Sequence, residues 1–194
     1  MEMRYATIYK KAAEMGGWSG KKPDKTSRWG DLYEYTRAGL SGTETVLDIG
    51  TAEGNRFLNL APYIQNGFGI DIEKGMIRLA KENKKKFGIE ARNITFSVAS
   101  AYKLPFENEQ FDGVIVKHSP IGFKEAYRVL RKNGRLITQQ VHETDKANLK
   151  RIFKRGQGFG QRAGTLLCRY KKEAKKAGFR YIRAKISNDP YYFP

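Results

Sequence analysis

Thr45-Val46-Leu47-Asp48-Ile49-Gly50-Thr51-Ala52-Glu53-Gly54 is the stretch whose reading decides the fold. Thr45–Ile49 reads as a buried strand, a short apolar run carrying one acid near its end. Gly50 can take the positive φ of a tight turn. Ala52 fills a slot that admits only a small side chain. Gly54 opens the next helix and lets that backbone come close to a ligand.

Outward from this turn, strands and helices alternate. Asn55–Tyr63 is expected to be a helix packed through Phe57, Leu58, Leu60 and Ala61, and Gly67–Asp71 a second strand. Glu73–Phe87 reads as an amphipathic helix with Met76, Ile77, Leu79 and Ala80 inward and Lys84, Lys85 and Lys86 outward. Strands are expected at 93–98, 111–116, 135–141 and 179–186. Helices are expected at 31–40, about 122–132 and 165–177, with a basic one near 146–154. Gly134 and Gly178 are placed to end two of them, and Asp31 to cap the first, with Leu32, Tyr35 and Leu40 as its apolar contacts. Short strands between longer helices imply a Rossmann-like α/β fold, a mostly parallel twisted sheet with helices on both faces. Residues 1–40 read as a helical or lid segment before the main domain, 41–194. After Ile186 too few residues remain for a seventh strand, so either that strand is missing or displaced or the chain continues in a longer form. An unpaired sheet edge would then favour dimerisation.

Ligands of such sheets sit beyond the carboxyl ends of the strands. Asp71 ends the second strand 23 residues after Asp48, and a carboxylate there can accept both hydroxyls of a ribose. Dinucleotide folds place G-x-G-x-x-G at the first turn, so that backbone amides meet a pyrophosphate. Here the spacing is G-x-x-x-G, and Asp48 in front of it would repel a pyrophosphate. The pair suits a ligand that carries an ammonium and a sulfonium, such as S-adenosyl-L-methionine. Both acids could instead merely cap helices.

Four ordered segments carry a resemblance. VLDIGTAEGNRFLNL is similar to motif I of class I S-adenosylmethionine-dependent methyltransferases, and GIDIEKGMIRLAKEN to the segment after it. ASAYKLPFENEQFDGVIV resembles the family's G-D-A-x-x-L-P-F…F-D stretch, and EAYRVLRKNGRLITQQV its E-x-x-R-V-L-K-P-G-G signature. The match runs from Thr45 to Val141 and points to the type-11 branch. The resemblance implies that Asp48, Gly50, Thr51, Ala52 and Gly54 surround the methionine part of the donor. Asp71 would bind the ribose, Ile72 would flank the adenine, and Ala99, Ser100 and Ala101 would lie beside its amine. Ser100 stands where the family usually has an acid, Ala52 where it has a glycine, and Asn133 where it has a proline. As a plain turn residue, Ser100 would have no such role.

Methyl transfer asks the protein to position two reactants and, for some acceptors, to remove a proton. The acceptor side is expected in the loops after the fourth and fifth strands and in the N-terminal segment. His118 is the candidate base, weighed against a role in the loop or at the donor without proton chemistry. His142 reads as the weaker candidate and as structural. Trp18, Trp29, Tyr33 and Tyr35 are candidates for a lid. Asn188-Asp189-Pro190-Tyr191 superficially resembles the tetrad of nucleobase amino-methylating enzymes but lies far from the fourth strand, and so does Cys168, which counts against the covalent-cysteine route of pyrimidine methylation.

The balance of 37 Lys and Arg against 20 Asp and Glu gives a net charge of +17. From Glu143 onward the chain has 14 basic and four acidic residues. Such a surface attracts RNA or an acidic small molecule; the plainer reading is a solvated Lys-rich surface. A small-molecule acceptor is favoured by the resemblance; the alternative is an RNA methyltransferase, or an RNA-binding protein without catalysis, that uses the basic C-terminal quarter. Cys168 is the single cysteine, so no intrachain disulfide, no cysteine metal cage and a reducing cytoplasmic setting are expected. No apolar run approaches the ~20 residues of a membrane helix.

Overall fold

The computed structural model describes residues 10, 13, 14, 32–145, 147–154 and 159–186. Among them the sheet has five strands, all parallel, in the order β3-β2-β1-β4-β5. β1 is Thr45–Ile49, β2 Asn66–Asp71, β3 Ile94–Val98, β4 Phe111–Lys117 and β5 Leu130–Gln139. The order reverses between β1 and β4, so the carboxyl ends of these two strands and of β2 flank the crevice that open sheets use for ligands.

Helices cover both faces. On one side lie α1 (Leu32–Arg37), α2 (Asn55–Leu58) and α3 (Lys74–Phe87). Their Tyr33, Phe57, Leu58, Ile77 and Ala80 close over Val46, Ile94, Phe96 and Ile115 of the sheet. On the other side, Phe123, Ala126 and Val129 of α4 (Phe123–Val129) and Ala174 of α6 (Thr165–Ala177) cover Leu47, Ile49, Ile70, Val114 and Val116. The period-2 alternation of β1 and β4 therefore feeds two separate cores. α5 is the short helix Ala147–Phe153.

The family-like segments around β4 are built as a clamp. Glu125 and Arg128, one helical turn apart on α4, form a 2.8 Å ion pair. Glu125 also accepts the amide of Leu104, while Arg128 donates to the carbonyls of Leu104 and Phe106. Phe106 then packs edge-on against Phe68 and Phe111. Asp112 accepts the amide of Thr45 and pairs with Arg131 at 2.9 Å, tying the start of β1 to the entry of β5.

Several expectations are corrected. The helix after β1 is only Asn55–Leu58, followed by a 3-10 turn over Ala61–Tyr63, where Pro62 interrupts the hydrogen-bond ladder. α4 ends at Val129 and not near Gly134, because β5 begins at Leu130. Register then jumps from Phe111↔Leu130 to Gly113↔Arg135, and Asn133 in the bulge has φ 69°. Asparagine tolerates that left-handed region, whereas proline, the family's usual residue there, has its φ fixed near −65°. Phe179–Ile186 forms no strand: Phe179 packs on Tyr127 at 5.2 Å and Ile182 joins the core, while Tyr181 is fully exposed. Anchors three residues apart hold this segment as irregular chain rather than as alternating strand. Lys84 does not face outward: its ammonium donates to the carbonyl of Ile94.

Candidate cofactor site

Because side chains alternate along β1, Val46 and Asp48 face the core beneath α1. Asp48 is completely buried there. The Tyr33 hydroxyl lies 3.0 and 3.1 Å from its two carboxylate oxygens and donates to them. Burial pushes the Asp48 carboxyl up to about 7, and the nearby Asp71 adds to the rise. The hydrogen bond from Tyr33 and the charge of Lys117 act the other way. Burial first, then Asp48, raises the Tyr33 phenol well above its ordinary value.

The glycine turn is stitched onto the end of β2. Gly50 and Thr51 donate their amides to the carbonyl of Ile70 at 2.8 and 2.9 Å, and Ala52 donates to one carboxylate oxygen of Asp71 at 3.0 Å. The other oxygen accepts the amide of Glu73 at 2.9 Å. Burial raises the Asp71 carboxyl, while the amides of Glu73 and Ala52 resist that shift. Gly50, Ala52 and Gly54 have φ of 76°, 50° and 74°, so the turn is left-handed at alternate residues. Ala52 keeps that geometry despite its β-carbon. At Gly50 a β-carbon would fall 2.2 Å from the Ser119 hydroxyl, which brings the loop after β4 directly onto the turn. The space beside Gly54 is taken by Phe96 and Ala80, so its missing side chain serves helix–sheet packing.

Asp48, Gly50, Thr51, Ala52, Gly54 and Asp71 thus come together at one end of the sheet. Ile72 follows at the rim with 72% of its surface exposed. Ser100 and Ala101 lie just past β3, where the Ser100 hydroxyl accepts the amide of Tyr102, a turn contact. The carbonyl of Ala101 abuts Gly122, joining this loop to the one after β4. His118 is exposed, has φ 52°, and donates its amide to the carbonyl of Gln139. His142 contacts the Thr144 hydroxyl at 2.6 Å and lies 3.7 Å from the buried Glu143, a local arrangement within its own loop.

In α1 the buried pair is Tyr33 and Thr36, whereas Tyr35 is 69% exposed, because the inward face follows the three-residue spacing from Tyr33. Trp18, Trp29, Asp31 and Asn188–Tyr191 lie outside the described residues. Cys168 stands exposed on α6.

Sequence reasoning missed Lys117, Arg56 and Ser119. The Lys117 ammonium sits 5.8 Å from the centre of the Tyr33 ring. Burial lowers it to about 8, the positive charge of Arg56 adds to this, and Asp48 opposes it. The available signal was a lysine closing an apolar strand that neighbours the Asp48 strand.

Residues 40–180 match the family model of a methyltransferase domain. The chain belongs to this family. An uncharacterized methyltransferase, YcgJ of Bacillus subtilis, is 31% identical over 94 residues, which cover 48% of this chain and 36% of that protein. A ubiquinone/menaquinone biosynthesis C-methyltransferase, UbiE of Agrobacterium fabrum, is 30% identical over 118 residues, covering 56% of this methyltransferase-family chain and 45% of that one. The aligned parts span less than half the length of these two curated relatives. Among solved structures, a SAM-dependent methyltransferase from Methanosarcina mazei is 27% identical with a TM-score of 0.55, over 63% of this chain and 64% of that one. A putative methyltransferase from Bacillus halodurans shares the fold at a TM-score of 0.58 and 22% identity, over 74% and 68% of the two chains. No described helix is long and apolar enough to cross a membrane.

Proposed function

We propose that the protein transfers the methyl group of S-adenosyl-L-methionine to a small-molecule acceptor. One observation carries this reading: two acids, Asp48 and Asp71, stand at the same end of paired strands, with the left-handed turn after Asp48 bonded to Asp71. The residues fit the donor. Both Asp71 oxygens are already bonded to amides, which fixes the carboxylate, yet each keeps a lone pair for a ribose hydroxyl. Ile72 offers an exposed apolar surface to an adenine, and Ser100 and Ala101, in the loop just past β3, take the place beside its amine. Gly50, Thr51 and Ala52 wrap the amino-acid end, and Asp48, sealed behind the turn under Tyr33, acts on its ammonium through charge rather than contact.

When bound, the donor supplies an electrophilic methyl on a sulfonium centre. This chain's own part is to bind, orient and shield. Tyr33 lays a ring over the buried end of the site, and residues 1–40 act as its lid. His118, in the loop beyond β4, takes a proton from the acceptor where the acceptor must lose one. That the relative UbiE is named for quinone biosynthesis supports a small acceptor. A reducing cytoplasmic setting suits a chain with one exposed thiol.

A second reading, an RNA acceptor, is favoured by α6, whose Arg169, Lys172, Lys175 and Lys176 are all exposed. Incubation with radiolabelled donor, a metabolite extract and fractionated RNA separates the two. Label in the metabolite fraction supports the first reading; label in RNA, lost steeply between low and moderate salt, supports the second. Calorimetry that finds no donor binding below millimolar overturns both.

A further inference from the structure

Outside the donor site, α3 carries a charge pattern that methyl transfer does not use. Lys74, Arg78, Lys81 and Lys85 follow one another at spacings of four, three and four residues. At 3.6 residues per turn all four project from one narrow stripe of the helix. Together with Ile77, Glu82 and Val98 they line a groove of about 440 Å³ between α3 and β3. Met76 and Ala80 anchor the helix in the core, and Lys84 ties it to β3 through the carbonyl of Ile94. The groove is thus a fixed feature of the packing.

All four cations are exposed, and none forms an ion pair or a side-chain hydrogen bond among the described residues. The acid in the lining is Glu82, so the groove keeps a positive surplus. On α6, by contrast, Arg169 is paired with Glu173 at 3.8 Å and lies over the Tyr170 ring. From Lys74 to Lys85 the stripe runs about 16 Å at 1.5 Å per residue. A lone phosphate reaches only part of that length. A chain with a phosphate at every link can meet all four cations, and the small cross-section of the groove suits one strand rather than a duplex.

We infer that the α3 groove binds the phosphodiester backbone of a single-stranded nucleic acid through Lys74, Arg78, Lys81 and Lys85. Contacts of this kind hold and orient a strand without reading its bases. The groove opens beside the donor site, because Val98 is the register partner of Asp71 and Lys74 follows Ile72 by two residues. The inference concerns binding alone and holds whichever molecule accepts the methyl group.

The test is fluorescence anisotropy on the full chain with a labelled oligouridylate, and with an oligothymidylate in parallel to tell RNA from DNA. Four phosphate contacts give log affinity against log salt a slope of about −3. Arg78→Gln combined with Lys81→Gln should weaken binding about ten- to fifty-fold at low salt and halve that slope to about −1.4. Lys175→Gln combined with Lys176→Gln removes the same charge from exposed positions of α6, on the opposite face of the sheet. Affinity in that pair should change by less than about three-fold, since screening limits the reach of distant charges. Both pairs should keep their fold by circular dichroism. Equal losses in the two pairs, no binding of either strand by the unaltered protein at low salt, or displacement by inorganic phosphate at matched phosphate concentration overturns the inference. Calorimetry with S-adenosyl-L-methionine keeps that failure distinct from failure of the proposed function, because donor binding should be unchanged in both pairs.

Discussion

Replacing Asp48 by asparagine should make the protein more stable, increasingly so as the pH rises. Burial raises this carboxyl from an ordinary 3.8 to about 7, so the folded protein holds a proton that the unfolded chain has released. The resulting stability is present in full below about pH 4 and is lost as pH climbs through about 7. At 1.36 kcal/mol per pH unit, that shift means a cost of roughly 4 kcal/mol by neutral pH. At pH 5 the cost is roughly 2 kcal/mol, and by pH 8 it has nearly its full size, on the same arithmetic. Asparagine carries no charge at either pH and still offers one oxygen to Tyr33. The advantage of Asp48→Asn, measured by urea unfolding followed by circular dichroism, should therefore grow by about 2–3 kcal/mol between pH 5 and pH 8. Donor affinity, measured by calorimetry, should fall in the same variant, because the negative charge behind the amino-acid end is gone. An advantage that stays flat across this range would refute the claim that burial holds Asp48 near neutrality. Lys117 contributes with the opposite slope at higher pH. Its folded value of about 8 lies below the ordinary 10.5, so stability rises with pH through the interval between them. Measurements confined to pH 5–8 keep most of that contribution out of the comparison.

Asp71→Ala should weaken S-adenosyl-L-methionine about ten- to a hundred-fold in calorimetry, since it removes a charged acceptor already fixed by two amides. Gly50→Ala forces a β-carbon onto Ser119 at a φ of 76° and should cost roughly 2–4 kcal/mol in urea unfolding. Adding Ser119→Gly should recover the part due to the collision but not the part due to φ. Arg128→Met removes the side chain that donates to the carbonyls of Leu104 and Phe106 and to Glu125, and should destabilise by about 1–3 kcal/mol. Tyr33→Phe strips the hydrogen bond from Asp48, so the loss of stability with rising pH should move to higher pH.

The parts of this molecule that were legible in its sequence are those encoded by short-range pattern. β1, its turn, β2 and α3 follow one another within 43 residues, and each rests on local chemistry: an apolar run, glycines at positive φ, an acid at a strand end, an amphipathic period. α6 was legible for the same reason, its period ending at Gly178 with φ 114°. Misreadings arose where a distant partner decides. Leu130 continues the pattern of α4, yet pairing with Phe111 draws it into β5. Phe179–Ile186 has strand-like composition but makes no strand pairing, so composition had nothing to act upon. The site divides in the same way. Asp48 and Asp71 announce themselves by position after apolar runs. Lys117, Arg56 and Ser119 gain meaning only because β4 lies beside β1, which parallel strands separated by more than sixty residues do not advertise locally. That adjacency puts a lysine level with the glycine turn and a serine against Gly50. The donor end of the site is therefore written by motif. The charge balance around it is written by strand order, which sets Lys117 near enough for its charge to act on Asp48.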